Sequence, residues 1–307
     1  PLYNRAISSR QPPGSTFKPI MALVGLKLGL ITPSTDVFCN GGYYKGRLYK
    51  CDEVHGHVDL QKAIAQSCNT YFFSLMNQVG INNDLDKWHN LITQFGLGSL
   101  NHIDLPGEVS GIIPDSAYFN KAFGKRKWGI GDVINLGIGQ GVVSVSPLQM
   151  AELTSEIANG GYHVQPHIVR AIHRTDDKWM ITQPEKTKIG WVSEKNIDIV
   201  KAAMRKVVTD GTARWYANIK DIKIAGKTGT AQNPHGNDHA WFISFAPYDH
   251  PRIAMAVLVE NAGFGAASAV PISTLLIEKY LTGKVEQQRL FKRMVEFTPD
   301  VYDTAGH

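Results

Sequence analysis

A chain of 307 residues with 43% hydrophobic and 19% charged side chains can bury a sizeable core and lies outside the composition of disordered polymers. Its net charge of +5 comes with no basic run longer than Lys125-Arg126-Lys127, which argues against nucleic-acid binding, whose footprint is Lys and Arg clustered on one element. No stretch reaches the ~18 to 20 apolar residues that cross a bilayer; the best, Ile20 to Leu30, contains Lys27, and the chain opens on Pro1 with no signal-peptide pattern, so the expectation is a fragment of something longer.

In chain order, Pro12-Pro13-Gly14 breaks the backbone before Ser15. The apolar segment that follows runs to Leu30, with Gly29 and Pro33 as stop signals. These predict a helix apolar nearly all round, which belongs in the middle of a domain. Residues 36–58, polar and rich in Gly, Tyr and Cys, read as an irregular excursion. Helices are expected over 59–79, 84–95, 147–159 after Ser146-Pro147, and 193–209 after Ser193. Stretches 220–231, 239–247 and 252–260 carry β-branched and aromatic residues. Turn-prone clusters such as Asn233-Pro234-His235-Gly236-Asn237-Asp238 separate them, so they predict an antiparallel sheet. A last helix is expected from Ser268 to Leu281. Residues 1–281 then form one domain, and 282–307 a tail without clear periodicity.

Three short motifs punctuate this plan: Ser15-Thr16-Phe17-Lys18, Ser67-Cys68-Asn69 and Lys227-Thr228-Gly229-Thr230. Alone, Ser15 reads as a helix cap and the last motif as a strand end with a turn. The ordered set carries chemistry. A serine hydroxyl needs a base within hydrogen-bond reach, and Lys18 supplies one if burial and a second cation at Lys227 depress its pKa. Ser67 would relay a proton to a leaving amine, and Asn69 would orient a substrate carbonyl. Lys227 offers a fixed charge for a carboxylate, Thr228 and Thr230 add hydroxyls, and Gly229 lets a substrate backbone lie close to the strand.

The set resembles the S-x-x-K, S-x-N and K-T-G motifs of the penicilloyl serine transferases. The flanks narrow the likeness. Pro12 to Pro19, Ile103-Asp104-Leu105-Pro106-Gly107-Glu108, Gly137-Ile138-Gly139-Gln140-Gly141, Pro147-Leu148-Gln149-Met150-Ala151 and His239-Ala240-Trp241-Phe242 are similar to class B penicillin-binding proteins, nearest the elongation-type penicillin-binding protein 2 group, over about residues 1–281. The resemblance implies an α/β (α+β) fold of the β-lactamase/transpeptidase type, a central antiparallel sheet flanked by helices plus an all-helical subdomain. It implies an oxyanion hole from the N–H groups of Ser15 and Thr230. It further implies peptidoglycan D,D-transpeptidation through a Ser15 acyl-enzyme on D-Ala-D-Ala, reaction with β-lactams, and a role in cell elongation and rod shape.

The expected location is the periplasmic face of the inner membrane. Expected partners are a SEDS-type glycosyltransferase, a rod-complex scaffold protein and the amino-terminal part of the same polypeptide, which would hold the anchor and one or two sheet strands. No catalytic cofactor and no nucleic acid are expected. A D,D-carboxypeptidase, a serine β-lactamase and a non-enzymatic β-lactam receptor share the motifs. The Glu-x-x-Leu-Asn pattern of the class A lactamases is missing between the second and third motifs.

All three cysteines, Cys39, Cys51 and Cys68, fall within 30 residues. With His55 they make a zinc set of structural type, closed by four protein ligands. His55 is preferred to His57, which lies too close to the helix expected from 59. A Cys39–Cys51 disulfide and three unlinked thiols stand as alternatives. Because Cys68 is the middle of the second motif, a metal there would pin that motif to the 36–58 excursion.

Overall fold

The computed structural model describes residues 3–81, 83–125, 127–234 and 236–297. Arg126 of the basic run, His235 of the turn cluster and residues 298–307 of the tail lie outside the described residues.

The chain opens with α1 (Arg5–Ser8), capped by the Asn4 side chain. A 3-10 turn over Gly14–Phe17 then feeds α2 (Lys18–Lys27). Pro19 sits in the first turn of α2, where the missing N–H costs nothing. Every residue from Lys18 to Gly25 is buried, as the all-round apolar pattern requires.

The excursion is more regular than its composition suggests. β1 (Val37–Cys39) pairs with β4 (Gly56–Val58), and β2 (Gly42–Lys45) pairs with β3 (Arg47–Lys50), both antiparallel. The single helix expected over 59–79 is two: α3 (Leu60–Ala65), capped by Asp59, and α4 (Asn69–Ile81). The break falls on Ser67, whose φ of +59° lies in the left-handed region that sequence pattern does not reveal. Gly25 of α2 allows close passage of α4, since a Cβ there would stand 2.9 Å from Leu75 Cδ2.

α5 (Leu85–Thr93), α6 (Ser116–Phe123), α7 (Ile130–Val133) and a 3-10 segment over Ile134–Ile138 complete a helical half. α8 (Pro147–Ala158) begins on a Ser146/Gln149 capping box, the reciprocal pairing that satisfies two first-turn donors. Two hairpin ladders follow. β5 (Tyr162–Val164) pairs with β8 (Lys186–Lys188), and between them β6 (Ala171–His173) pairs with β7 (Trp179–Ile181). α9 (Glu194–Thr209) is capped by Ser193.

The central sheet has the order β11 (Ile253–Val259), β10 (His239–Ala246), β9 (Ala225–Ala231), all antiparallel. α10 (Ala269–Thr282) follows it. β9 starts at Ala225 and not at 220. β10 is buried at every position, so the sheet is covered on both faces. Strand alternation assigns the covers: Ser244 hydrogen-bonds Ser273 of α10 at 2.7 Å, while the next side chain, Phe245, lies 5.7 Å below Lys201 of α9. Residues 282–297 are not featureless. They carry α11 (Gln288–Val295), whose Arg293 stacks 4.7 Å from the Tyr216 ring.

Candidate active site

The three motifs meet at one groove of about 1160 Å³, lined by Ser15, Ser67, Asn69, Thr228, Gly229 and Thr230 among others. Lys18 and Lys227 lie fully buried beneath it. Register explains the convergence. Lys227 pairs with Ile243 and Gly229 with Trp241, so both share the face turned to α9 and the Ser15 turn. A Cβ on Gly229 would stand 2.8 Å from Thr16 Cγ2 and 3.1 Å from Pro13 O. The glycine expected to admit a substrate backbone is thus required first by the turn that carries Ser15.

That turn is clasped from several sides. Gly14 N donates to Gly139 O at 2.9 Å, and Trp241 Nε1 donates to Pro12 O at 3.1 Å. Gln140 Nε2 reaches Thr230 O at 3.4 Å. Gly14 and Gly139 have φ of +54° and +67°. A Cβ on Gly139 would stand 2.4 Å from Gly14 O, and one on Gly14 would stand 2.4 Å from Thr230 O. No other residue fits there without backbone movement. Buried Gln149 reaches the carbonyls of Gly96, Ser99 and Ser110 through Nε2. Several of the flanking stretches noted in the sequence therefore hold the site or the loops beside it.

Lys18 Nζ donates to Ser67 O at 2.7 Å, Ser67 Oγ at 3.1 Å and Asn69 Oδ1 at 2.6 Å. Burial lowers its pKa to about 8 against the opposing charges of Cys51, Asp52 and Cys68. The expected hydrogen bond from Ser15 to Lys18 is not formed. The three Lys18 donors are spent on the second motif, and a base contact that tightens only with substrate bound is common. Lys227 lies buried on β9. Burial first, and Lys18 second, push its pKa well below that of a free lysine, and its Nζ donates to Thr228 O at 2.9 Å. A carboxylate entering the groove would favour its charged form.

Thr212, which sequence reasoning passed over, shares a 2.5 Å hydrogen bond with Thr228. Its only sequence signal was its position just past a predicted helix end.

Beside the second motif, Cys39, Cys51, His55 and Cys68 place their ligand atoms within 4.8 Å of one another. His55 Nδ1 lies 3.5 Å from both Cys39 Sγ and Cys51 Sγ, and Cys51 and Cys68 are 4.0 Å apart. All three thiols are free. His57 is turned away to Asp36, at 2.6 Å, which leaves His55 as the imidazole of the cluster. The hydrogen bond shared by Cys51 and Cys68 lowers the Cys51 pKa and raises that of Cys68. Asn69 N donates to Cys51 Sγ at 3.2 Å, so the cluster touches the main chain of the motif itself. Three buried thiols and one half-buried imidazole, gathered this closely, fit a tetrahedral zinc.

The family described as penicillin binding protein transpeptidase domain matches residues 1–278. The peptidoglycan D,D-transpeptidase MrdA of Haemophilus influenzae is 33% identical, covering 98% of this chain and 49% of that protein. MrdA of Acinetobacter baumannii is 37% identical over 88% of this chain and 42% of its own length. The chain thus spans about half the length of these curated relatives. Among solved structures, Pseudomonas aeruginosa PBP2 in complex with WCK 5153 superposes with a TM-score of 0.81 at 36% identity, covering 94% of this chain and 66% of that one. PBP2 of Helicobacter pylori in complex with MreC gives 0.78 at 27% identity, covering 92% and 52%.

Proposed function

The chain belongs to the penicillin binding protein transpeptidase family, and from that premise we propose that it is the catalytic part of an elongation-type peptidoglycan D,D-transpeptidase. The observation that carries the reading is Lys18 Nζ, buried and joined to both polar residues of the Ser67-Cys68-Asn69 motif, one helical turn after a groove-lining Ser15.

Ser15 Oγ attacks the carbonyl carbon of the penultimate D-Ala and gives its proton to neutral Lys18. The N–H groups of Ser15 and Thr230 hold the oxyanion. Collapse breaks the C–N bond, and the departing D-Ala amine takes the proton from Lys18 through Ser67. An amine of a second stem peptide then attacks the acyl-enzyme, and Ser15 recovers its proton as the new amide forms. Lys227, with the hydroxyls of Thr228 and Thr230, receives the terminal carboxylate of the donor, and Asn69 orients its backbone. A β-lactam enters by the same first step and leaves Ser15 acylated.

Cys39, Cys51, His55 and Cys68 would hold a structural zinc, whose chemistry is to fix four side chains in place and whose binding adds to folding stability. Through Asn69 N and Cys51 the same four residues fix the second motif. In the cell this catalytic part would work on the periplasmic face of the inner membrane, joined to an anchor elsewhere in the polypeptide. Its partners there would be a SEDS-type glycosyltransferase and a scaffold of the MreC kind.

Incubating the full-length protein with a D,D-pentapeptide donor and an acceptor amine separates this reading from its rivals. A transpeptidase releases D-Ala with matching cross-linked product. D-Ala with free tetrapeptide alone would mean a carboxypeptidase, and stoichiometric acylation without turnover would mean a receptor.

A further inference from the structure

The thiols gathered beside the second motif stand within reach of one another as well as of a metal. Cys51 Sγ lies 4.0 Å from Cys68 Sγ. Cys39 is turned to other partners, Thr70 Oγ1 at 3.2 Å and the Glu53 carbonyl at 3.5 Å. The contact therefore selects Cys51 with Cys68, and not the Cys39–Cys51 pair that the spacing left open. Of the three, Cys51 alone keeps exposed surface, 9% against none for Cys39 and Cys68. Its chain neighbours Lys50 and Asp52 line the groove, so a reagent entering there meets Cys51 first and reaches Cys68 through it.

We propose that Cys51 and Cys68 are a redox modification site: when no metal holds them they form a reversible disulfide, and that bond disarms the second motif. The pairing rests on the sulfurs alone, whereas protection of the pair by a metal rests on the zinc reading of the cluster. The oxidant is a disulfide, either a small molecule or a thiol-exchange protein. The Cys51 thiolate attacks one of its sulfurs, breaks that S–S bond and expels the first thiol, leaving a mixed disulfide on Cys51. Cys68 then attacks the Cys51 sulfur and expels the second thiol, which carries off the Cys68 proton. The two cysteines lose two electrons, and the reagent takes them up as two thiols.

The cost to the motif follows from where Cys68 sits. A disulfide is ~2.05 Å long, so the two sulfurs must close by about 2 Å from their present 4.0 Å. Cys68 stands between Ser67 and Asn69, the residues that accept all three bonds from Lys18 Nζ, and Asn69 N itself donates to Cys51 Sγ at 3.2 Å. Closure draws on those same residues, and a misplacement of ~1 Å is enough to cost about 10²-fold in a catalytic step.

The test uses the full-length wild-type protein, with and without chelator pretreatment, and dithiodipyridine as the disulfide. Each exchanged thiol releases a coloured thione. Trypsin, cutting after Lys50 and Lys62, puts the three cysteines on separate peptides for mass spectrometry without reduction. The chelated protein is expected to release two thiones per chain before Cys39 reacts, and to yield a Cys51–Cys68 cross-link. Penicillin acylation is expected to fall about 10- to 100-fold in step with the cross-link, and a dithiol reductant to restore it. A cross-link that includes Cys39, mixed disulfides without a cross-link, or a Cys51–Cys68 bond with undiminished acylation overturns the proposal. The untreated protein reports on the metal separately. Slower exchange than after chelation, with zinc released as it proceeds, is the expected result; equal rates and no released zinc count against the zinc reading, while the cross-link map still decides the pairing.

Discussion

The two sides of the groove are held by different physics. The Ser15 side is apolar and close-packed. Its turn is clamped by Gly139, Gln140 and Trp241 and continues into a helix with no exposed residue before Leu26. The Ser67 side rests on the 36–58 ladders, which leave Phe38, Tyr44 and Leu48 exposed, and on a thiol cluster reaching Asn69 through one sulfur. Burial of an apolar helix is robust, because each large side chain contributes about 1.5 to 3 kcal/mol. A sulfur cluster is conditional on what occupies it. The comparison teaches that the nucleophile side should survive perturbations that disable the proton-relay side.

The largest effect is expected where the sides meet. Lys18→Ala should slow penicillin acylation by about 10²- to 10⁴-fold, read by stopped-flow fluorescence, because it removes the proposed base and all three hydrogen bonds to the second motif. The wild-type rate should rise with pH through a midpoint near pH 8 and level off about one unit above it, since a lysine lowered to about 8 is a base only once deprotonated. A flat profile between pH 6 and 9 would separate Lys18 from the base role.

Next comes the clamp. Gly139→Ala, at φ +67° and with 2.4 Å to Gly14 O, should cost about 2 to 4 kcal/mol in chemical denaturation. Unchanged stability would mean that the turn is looser than its packing.

Cys51→Ser, or a chelator directed at the proposed zinc, should lower the acylation rate about 10- to 100-fold while near-ultraviolet circular dichroism of the aromatic core stays native. Equal loss of both signals would show that the cluster supports the whole fold and not one side.

The smallest effect lies far from the groove. Glu152 accepts from Asn101, and burial first, then Glu156 and Glu108, raise its pKa to about 9. A raised carboxyl pKa contributes stability that is full below the unfolded value of ~4.3 and lost as pH rises through about 9. Glu152→Gln should therefore gain on the wild type steadily between pH 5 and 9 in thermal unfolding. Parallel curves would contradict the protonated state.

Much of this was legible in the chain. Caps at Ser146 and Ser193, the all-apolar run after Ser15 and the β-branched stretches near 225–259 are local signals, and local physics placed them within a few residues. What escaped was non-local. Ser67 breaks a helix that its neighbours' propensities would continue: it sits in a left-handed conformation with Lys18 bonded to its carbonyl and its hydroxyl. The ladders of 37–58 and 162–188 are three or four residues long, too short for alternation to register. Thr212 has no pattern of its own, only a partner 16 residues on. The cysteine spacing, by contrast, pointed to the thiols that gather, and the helix expected from 59 was what favoured His55 over His57 beside them.

The central claim is that Ser15, on the packed side, is the residue that becomes acylated. Mass spectrometric mapping of the full-length protein after brief exposure to penicillin tests it directly. The account predicts one adduct, on the peptide containing Ser15, absent from Ser15→Ala; an adduct on Ser67 or elsewhere, or undiminished labelling of Ser15→Ala, would contradict it.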